Sequence, residues 1–256
     1  MTTPAAIPDV SSRLPAGLPE AARLALIDFC DACVESLGGD LRSIVLFGSA
    51  AEGRMRATSD VNVLVVLERF DPAHIDSLRD TARVVRAAVR LEPMFVLADE
   101  LPFAAAAFAV KFQDIGTRHI VLVGADPVAT LAIPRSMIVH RVKQVLLNTT
   151  IRLRATYTLL SLREEQLARA VADVAAPLRS SAAAILGLEG KPAGSPKEAL
   201  EQVVADLPGG DWAGVLKQIS QAREEGVLPA GTAPALTLKL IELGTRLRER
   251  AERVTT

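Results

Sequence analysis

Cysteine and aromatic residues are scarce in this chain. Aromatic side chains make up only 4% of its 256 residues, so Ala, Leu and Val supply most of the apolar mass, which favours helix packing. The two cysteines, Cys30 and Cys33, are too few for a disulfide framework or for a four-ligand zinc site. They lie in LALIDFCDACVESL, whose helical periodicity predicts two small residues beside an apolar helix face.

Signals for secretion and for membrane insertion are also absent from the sequence. We find no cationic start followed by a short apolar segment, and no apolar run of membrane-spanning length. Together with the low cysteine content, these absences predict a cytoplasmic protein that does not contact membranes.

The chain has no excess of charge of one sign. Its 29 basic and 30 acidic residues give a formal net charge of −1, which directs it neither to nucleic acid nor to a membrane surface. Residues 1–130 carry 17 acids and 12 bases, whereas residues 131–256 carry 13 acids and 17 bases. This asymmetry is mild, but it bears on the choice of substrate.

Periodicity divides the chain into an arm and two domains. The Pro-rich opening, residues 1–18, predicts a flexible arm. Residues 19–130 combine helices with short strands rich in Val and Leu, whereas residues 131–256 contain helical patterns without a convincing strand. We therefore expect an α+β protein, in which a mixed sheet with flanking helices is followed by a helical bundle.

Helix-capping residues and hydrophobic periodicity predict several individual helices and strands. Helices are expected from Pro19 to Leu37 and from the Asp71-Pro72 cap onward, and later helices start at a capping box at Ser195 and at Asp211. AFAVKFQDI fits a strand or a short helix, and MIVHRVKQVLLNTTIRLRATYTLLSLREEQLARAV has one long helical pattern. Strands are predicted at RSIVLFGS, DVNVLVVLE, EPMFVL and HIVLVG.

The segment between the first two strands contains the candidate phosphate site. Gly48 and Ser49 follow the first strand, where glycine permits a tight turn and close approach of a phosphate to backbone N–H groups. If Ser49 opens a helical turn, the dipole of that turn points at the same anion. Gly53 permits a second turn, and Arg54 and Arg56 can reach phosphate oxygens. This composition predicts a phosphate-binding cradle.

Ser59, Asp60 and Asn62 follow at the start of the second strand. Because strand side chains alternate between two faces, Asp60 and Asn62 face the same way. Two oxygen ligands beside a phosphate cradle are typical of a magnesium site, in which the ion bridges triphosphate oxygens.

The whole pattern resembles the nucleotidyltransferase fold of the polymerase-β type. That family has G-S, three residues, G, five residues and S-D-x-D. This chain matches five positions of the pattern at the required spacing, namely Gly48, Ser49, Gly53, Ser59 and Asp60. The resemblance covers roughly residues 19–124, and the helical half resembles the bundles of streptomycin- and spectinomycin-type adenylyltransferases and of minimal nucleotidyltransferases.

The resemblance implies an activity and a third acidic residue. The expected reaction is a Mg2+-dependent transfer of a nucleoside monophosphate, AMP, from a nucleoside triphosphate to a hydroxyl group. Glu92 opens the strand where the family places a carboxylate that ligates metal or deprotonates the acceptor. The alternative is a solvated glutamate at a strand end, and Pro93 beside it can shift the strand register.

Asn62 stands where the family has its second Asp. Its amide oxygen can ligate magnesium but carries no charge, so a metal set of Asp60, Asn62 and Glu92 predicts a weakened two-ion site. Three explanations remain open: a natural member with weakened catalysis, an active enzyme that holds one ion, and a substitution introduced to trap substrate.

Arg141 and Arg152, on the first helix of the bundle, are candidates for a second nucleotide contact. They are eleven residues apart, about three helical turns, so they share a face and can grip the triphosphate or an anionic acceptor. The alternative is a solvated helix face. A polycationic aminoglycoside would need acidic residues in this part of the chain to bind its positive charges. Residues 134–187 contain few acids, namely Glu164, Glu165 and Asp173.

Two functions are therefore open on the sequence. The first is a nucleotidyltransferase whose acceptor is a small molecule, a protein or an RNA end. The second is a catalytically degenerate regulator that keeps the fold and binds a partner protein, as in a toxin–antitoxin pair. In either case the chain can act as a homodimer or with a partner protein.

Overall fold

The structure is a computed structural model that describes residues 9–56 and 59–254. The chain divides into two compact units, one of residues 1–107 and 112–132 and the other of residues 108–111 and 133–256. The first unit contains a mixed four-stranded sheet with flanking helices, and the second is helical. The predicted α+β fold class is confirmed.

The first unit contains the sheet and the motif. Its helices are α1 (Val10–Arg13), α2 (Glu20–Leu37), α3 (Pro72–Val89), α4 (Leu101–Ala107) and most of α5 (Ala109–Thr117). Its strands are β1 (Leu41–Phe47), β2 (Val61–Leu67), β3 (Leu91–Leu97) and β4 (His119–Gly124). The AFAVKFQDI segment, which fits a strand or a helix by sequence, is helical and belongs to α4 and α5.

The strands lie in the order β3-β2-β1-β4. β1 is antiparallel to both of its neighbours, whereas β2 and β3 are parallel. The C-terminal end of β1 therefore meets the N-terminal ends of the other three strands at one end of the sheet, which we call the motif end. Its register partners are Phe47 with Asn62, Phe47 with His119, and Asn62 with Glu92.

Alternation along β2 separates its one polar residue from the core. Val61, Val63 and Val65 are buried in a cluster with apolar residues of α2 and α3. Because side chains alternate, Asn62 projects to the opposite face of the sheet. The helices that flank one face thus leave Asn62 outside their core.

Cys30 and Cys33 occupy the buried face of α2, as the helical periodicity indicates. Burial raises the pKa of the Cys30 thiol to about 12 and raises the pKa of Cys33 as well. Both thiols are therefore protonated at neutral pH and serve as small core residues.

The N-terminal segment differs from the predicted flexible arm. Val10, Leu14 and Leu18 are buried in the core of the first unit, and the short helix α1 begins at Val10. The high proline content obscures this regular recurrence of apolar residues. Residues 1–8 of the predicted arm lie outside the described residues.

The second unit is a bundle built around α6 and α7. Its helices are α6 (Arg135–Leu160), α7 (Glu164–Leu188), α8 (Pro196–Ala205), α9 (Trp212–Glu225) and α10 (Ala233–Arg253). The single long pattern predicted across residues 137–171 is interrupted at residues 161–163, where the chain turns from α6 into α7. Periodicity does not register this turn, because both helices present apolar faces to a common core.

Side-chain caps start two of these helices as predicted. Ser195 Oγ accepts from the N–H of Glu198 (3.3 Å), and the Glu198 carboxylate accepts from the N–H of Ser195 (2.7 Å), which confirms the capping box. Asp211 accepts from the N–H of Gly214 (2.8 Å) at the start of α9.

α7 is long and apolar enough to cross a membrane by length and composition alone. This finding differs from the expectation that the chain contains no such run. In the structure, 56% of the apolar stretch is buried inside the protein, as in the core helix of a bundle. The absence of membrane contact and the cytoplasmic location stay predictions.

Glu189 and Arg250 form a largely buried ion pair in the helical unit. Both Glu189 oxygens accept from the Arg250 guanidinium, at 2.7 and 2.8 Å. Hydrogen bonding to Arg250, helped by Lys191, lowers the pKa of Glu189 to about 2. The charged carboxylate therefore stabilises the fold above its unfolded pKa, and this stability is lost as the pH falls from about 4.5 toward 2.

We expect Glu189→Gln to lower the free energy of unfolding at pH 7 by about 2 kcal/mol, because Arg250 loses a charged partner. The variant should also lose less stability than the parent between pH 4.5 and 2. Denaturation followed by fluorescence of Trp212, the single tryptophan and part of this unit, measures both effects. Glu201→Gln, at an exposed pair 4.0 Å from Lys197, is the control and should change stability little. Equal effects of the two substitutions would contradict the assignment.

Candidate functional site

The connection from β1 to β2 begins with a series of turns. Gly48 and Gly53 have φ angles of 75° and 66°, a region that strains residues with a side chain. The N–H of Glu52 donates to the Gly48 carbonyl (3.2 Å), and that of Arg54 donates to the Ser49 carbonyl (2.9 Å). The bond from Glu52 to Gly48 spans four residues, as in an α-helix, so a single helical turn begins at Ser49, in line with the sequence. The turn ends at Gly53, whose positive φ leaves the helical conformation.

The N-terminal segment packs on this connection through two glycines. A Cβ atom placed on Gly17 would lie 2.6 Å from the carbonyl oxygen of Gly53. Any side chain at position 17 would therefore displace the turn. The backbone of the N-terminal segment thus lies directly against the backbone of the turn at Gly53.

Backbone N–H groups of the turn are the candidates for phosphate binding. The N–H of Gly48 is used within the fold, since it donates to the carbonyl of Arg118 (3.0 Å). In the part of the chain that the structure describes, no hydrogen bond is found for the N–H groups of Ser49, Ala50 and Ala51. Successive unbonded N–H groups can form a concave anion site. The cradle proposed from the sequence thus rests on residues 49–51 rather than on the Gly48 N–H.

Arg118 links this turn to the end of α5. Its side chain is only 14% exposed, and its guanidinium donates to Glu52 (2.9 Å) and to both oxygens of Asp114 (2.5 and 2.8 Å). Its carbonyl accepts from Gly48, as described above. Arg118 therefore acts as a positioning residue for the turn. No local spacing in the sequence indicates this role, because its partner Glu52 is 66 residues away.

We expect Arg118→Gln to lower the free energy of unfolding by about 3 kcal/mol, since it leaves two partly buried carboxylates without their cation. The loss should appear as faster amide hydrogen exchange in peptides that cover β1 and the turn. Arg42→Gln, which removes an exposed ion pair with Glu68, is the control and should cost less than about 1 kcal/mol. Unchanged exchange in the Arg118 variant would refute the bracing role.

The end of the connection carries the other predicted nucleotide contacts. The side chains of Arg54 and Arg56 are exposed. Ser59 Oγ accepts from the N–H of Arg56 (3.1 Å), and the N–H of Ser59 donates to the Arg56 carbonyl (2.9 Å). Ser59 thus closes the loop before β2, and its hydroxyl can still donate to an anion.

Asp60 lies immediately before β2 and contacts Arg90. Asp60 Oδ1 is 2.9 Å from Arg90 Nε. Arg90 follows α3 and is the one residue other than glycine with a positive φ (54°) among residues 9–56 and 59–254. The Arg90 carbonyl accepts from the N–H of Val61 (3.1 Å), so Arg90 is held beside the start of β2.

Glu92 is the register partner of Asn62 across β2 and β3. The pairing runs without a shift from Val61–Leu91 to Leu67–Leu97, so Pro93 does not change the register. Register partners in a parallel pair share a face, which puts Glu92 and Asn62 side by side. Glu92 Oε1 also contacts Arg86 Nη2 at 3.0 Å.

Comparison with known proteins identifies the segment that contains this arrangement. Residues 31–113 match the family model of the nucleotidyltransferase domain. This segment is a nucleotidyltransferase domain. The resemblance inferred from the motif at residues 48–62 is confirmed. The match supports the expectation that the protein is an enzyme of the nucleotidyltransferase kind.

Two further proteins are similar to the chain. A protein of Methanocaldococcus jannaschii named "putative protein adenylyltransferase" is 36% identical over 76 residues, which are 28% of this chain and 52% of the relative. The chain thus spans about half the length of this curated relative. The spectinomycin adenyltransferase AAD(9) of Enterococcus faecialis, crystallised with ATP and spectinomycin, has a TM-score of 0.62 and 13% identity. The match covers 88% of this chain and 98% of that one, and it shows a shared fold.

The residues at the motif end of the nucleotidyltransferase domain fit one divalent cation. Magnesium is commonly held by one or two carboxylates, with phosphate oxygens and water completing its shell. Asp60, Asn62 and Glu92 offer two carboxylates and one amide oxygen. Across the described residues, no group of three or more His, Cys, Asp or Glu is placed to hold a metal ion. These residues therefore lack the third carboxylate that a second metal ion would need.

Arg141 and Arg152 lie on α6 of the helical unit. Arg141 donates to Gln144 (2.7 Å), and its guanidinium lies 5.7 Å from the ring centre of Phe108. Arg152 is exposed. A role of these two residues in nucleotide binding stays a prediction.

Proposed function

We propose that the protein transfers AMP from ATP to a hydroxyl group, with Mg2+ as the metal ion. The observation that carries this proposal is the convergence of the 48–53 turn with Asp60, Asn62 and Glu92 at one end of the sheet. The family model supports nucleotidyl transfer, and the names of both similar proteins favour an adenylyl group.

The turn and its flanking arginines would bind the triphosphate. The N–H groups of Ser49, Ala50 and Ala51 would donate to phosphate oxygens, and the Ser49 hydroxyl would add a donor. Arg54 and Arg56 are exposed beside this turn and would pair with the same anion. Such an arrangement orients the α-phosphate without taking part in bond making.

The residues at the motif end would handle the metal ion and the acceptor proton. Asp60 and Asn62 would hold Mg2+, and Glu92 would be a further ligand or the general base. Bound Mg2+ offsets negative charge on the phosphates. In the transfer, the acceptor oxygen bonds to the α-phosphorus, and the bond from that phosphorus to the bridging oxygen breaks. Pyrophosphate leaves with the electron pair, and Glu92, in the role of general base, would take the hydroxyl proton.

The acceptor class can be found by direct labelling. The protein is incubated with Mg2+ and ATP labelled at its α-phosphate, together with spectinomycin, with a protein mixture or with an RNA oligonucleotide. We expect pyrophosphate release and transfer of label to one of the three. The similar proteins favour a small molecule or a protein, and the scarcity of acids between residues 134 and 187 disfavours a polycation. Absence of nucleotide binding under every metal condition would exclude the proposed function.

A non-catalytic regulator is the second candidate. Asn62 favours it, because a neutral ligand at this position weakens metal binding, and both carboxylates are engaged by arginines. Such a protein would bind nucleotide without releasing pyrophosphate and would act through a partner protein. Binding without turnover in the labelling experiment, with all three acceptor classes, would select this candidate.

A further inference from the structure

Two arginines at the end of α3 engage both carboxylates of the proposed nucleotide site. Arg90 Nε lies 2.9 Å from Asp60 Oδ1, and Arg86 Nη2 lies 3.0 Å from Glu92 Oε1. These contacts pair each acid of the motif end with its own guanidinium. Neither arginine belongs to the sequence motif, and their side chains are 60% and 65% exposed, so each guanidinium is accessible to a ligand.

The backbone holds these arginines at the site. Arg86 lies in the last turn of α3, and Arg90 is the residue that caps its C-terminal end with φ at 54°. A left-handed conformation is unfavourable for arginine and persists only where neighbouring contacts impose it. Here the Arg90 N–H donates to the Arg86 carbonyl (2.9 Å), and the Arg90 carbonyl accepts from Val61 (3.1 Å). The α3 end is therefore fastened to the start of β2, beside Asp60.

The motif end carries less negative charge than a site with three acidic residues would carry. Two guanidinium groups offset the carboxylates of Asp60 and Glu92, and Asn62 adds no charge. Arg54 and Arg56 add positive charge on the connection before β2. A triphosphate carries several negative charges, and it would meet fixed cations here before any metal ion binds.

We infer that Arg86 and Arg90 supply the triphosphate with positive charge that a second metal ion supplies in a three-carboxylate site, so that ATP binds without a divalent cation. The inference rests on the proposed function, because it takes ATP as the ligand of this site. Arginine suits the role, since its planar guanidinium can pair with phosphate oxygens through two hydrogen bonds. The remaining single Mg2+ position would serve the transfer step rather than nucleotide affinity.

Calorimetric titration of the full chain with ATP tests this inference. The titrations are made in EDTA and in Mg2+, for the parent protein and for the double variant Arg86→Gln, Arg90→Gly. Glycine is chosen at position 90 because it accepts the left-handed backbone without strain. Arg79→Gln on the same helix is the matched control, since Arg79 pairs with Asp76 outside the motif. Circular dichroism and the single variant Arg86→Gln show whether lost binding reflects misfolding.

The parent protein should bind ATP in EDTA with an affinity within about tenfold of its affinity in Mg2+. The double variant should lose roughly 10- to 100-fold in EDTA, the loss expected for charged hydrogen bonds, and less in Mg2+. The control should bind like the parent. Binding that requires Mg2+ in the parent, or a folded double variant that binds equally well in EDTA, would overturn the inference and leave the proposed function standing. Parent protein that binds no ATP in either buffer would instead remove the proposed function itself.

Discussion

Replacing Asn62 by Asp should raise the Mg2+-dependent rate of nucleotidyl transfer by about 10- to 100-fold, the range over which changes around a metal centre act. Asn62 lies beside Glu92 and two residues from Asp60, so the new carboxylate would complete an acidic set on one face of the sheet. The added charge would strengthen binding of the metal ions that neutralise the triphosphate. Pyrophosphate release measured against Mg2+ concentration gives the rate and the apparent metal affinity.

Gln202→Glu is the control for this substitution. Gln202 lies exposed on α8, so the change adds the same negative charge at a residue outside the sheet motif and outside the α6 face of Arg141 and Arg152. Its rate should equal that of the parent. A rate for Asn62→Asp that is unchanged or lower at every Mg2+ concentration would show that position 62 does not limit metal use. Tighter ATP binding by Asn62→Asp in EDTA would count against the role inferred for Arg86 and Arg90.

Replacing Asp60 by Asn should lower the transfer rate by about 100-fold or more, because Asp60 is the first acid of the motif and would be the principal metal ligand. The substitution keeps the size of the side chain and removes its charge. It also releases Arg90, which contacts Asp60 at 2.9 Å. ATP binding in EDTA should therefore persist or strengthen while turnover is lost. Mn2+ titration followed by electron paramagnetic resonance reports the metal site independently of activity.

Asp99→Asn provides the control for Asp60. Asp99 is exposed in the turn after β3, and its substitution should leave transfer and Mn2+ binding at parental levels. If Asp60→Asn keeps both parental turnover and parental Mn2+ affinity, Asp60 is not a metal ligand. If it loses Mn2+ affinity but keeps turnover, the metal ion is not needed for transfer.

Local chemistry made much of this protein predictable. The turn at Gly48 and Gly53 follows from positive φ angles that glycine tolerates, and the alternation of Asp60 and Asn62 follows from the geometry of a strand. The capping box at Ser195 involves residues three positions apart. Each of these features depends on neighbours in the chain, so residue types and spacing were sufficient to infer them.

Other features escaped local inference because the tertiary environment supplies the partner. The Gly48 N–H donates to the carbonyl of Arg118, a contact that no local spacing signals. Residues 9–18 pack through Val10, Leu14 and Leu18 although their composition is typical of an arm. In each case a distant part of the chain supplies the partner.

The sequence by itself determined the fold class, the nucleotidyltransferase motif and the identity of its candidate ligands, because those depend on periodicity and short spacing. Only the tertiary structure determined that Glu92 lies in register with Asn62, that Arg118 braces the turn, and that Arg86 and Arg90 engage the two acids. The physical reason is that these contacts depend on strand order and on how α3 ends. Side-chain partners separated by a helix or a strand leave no spacing signal in a single sequence.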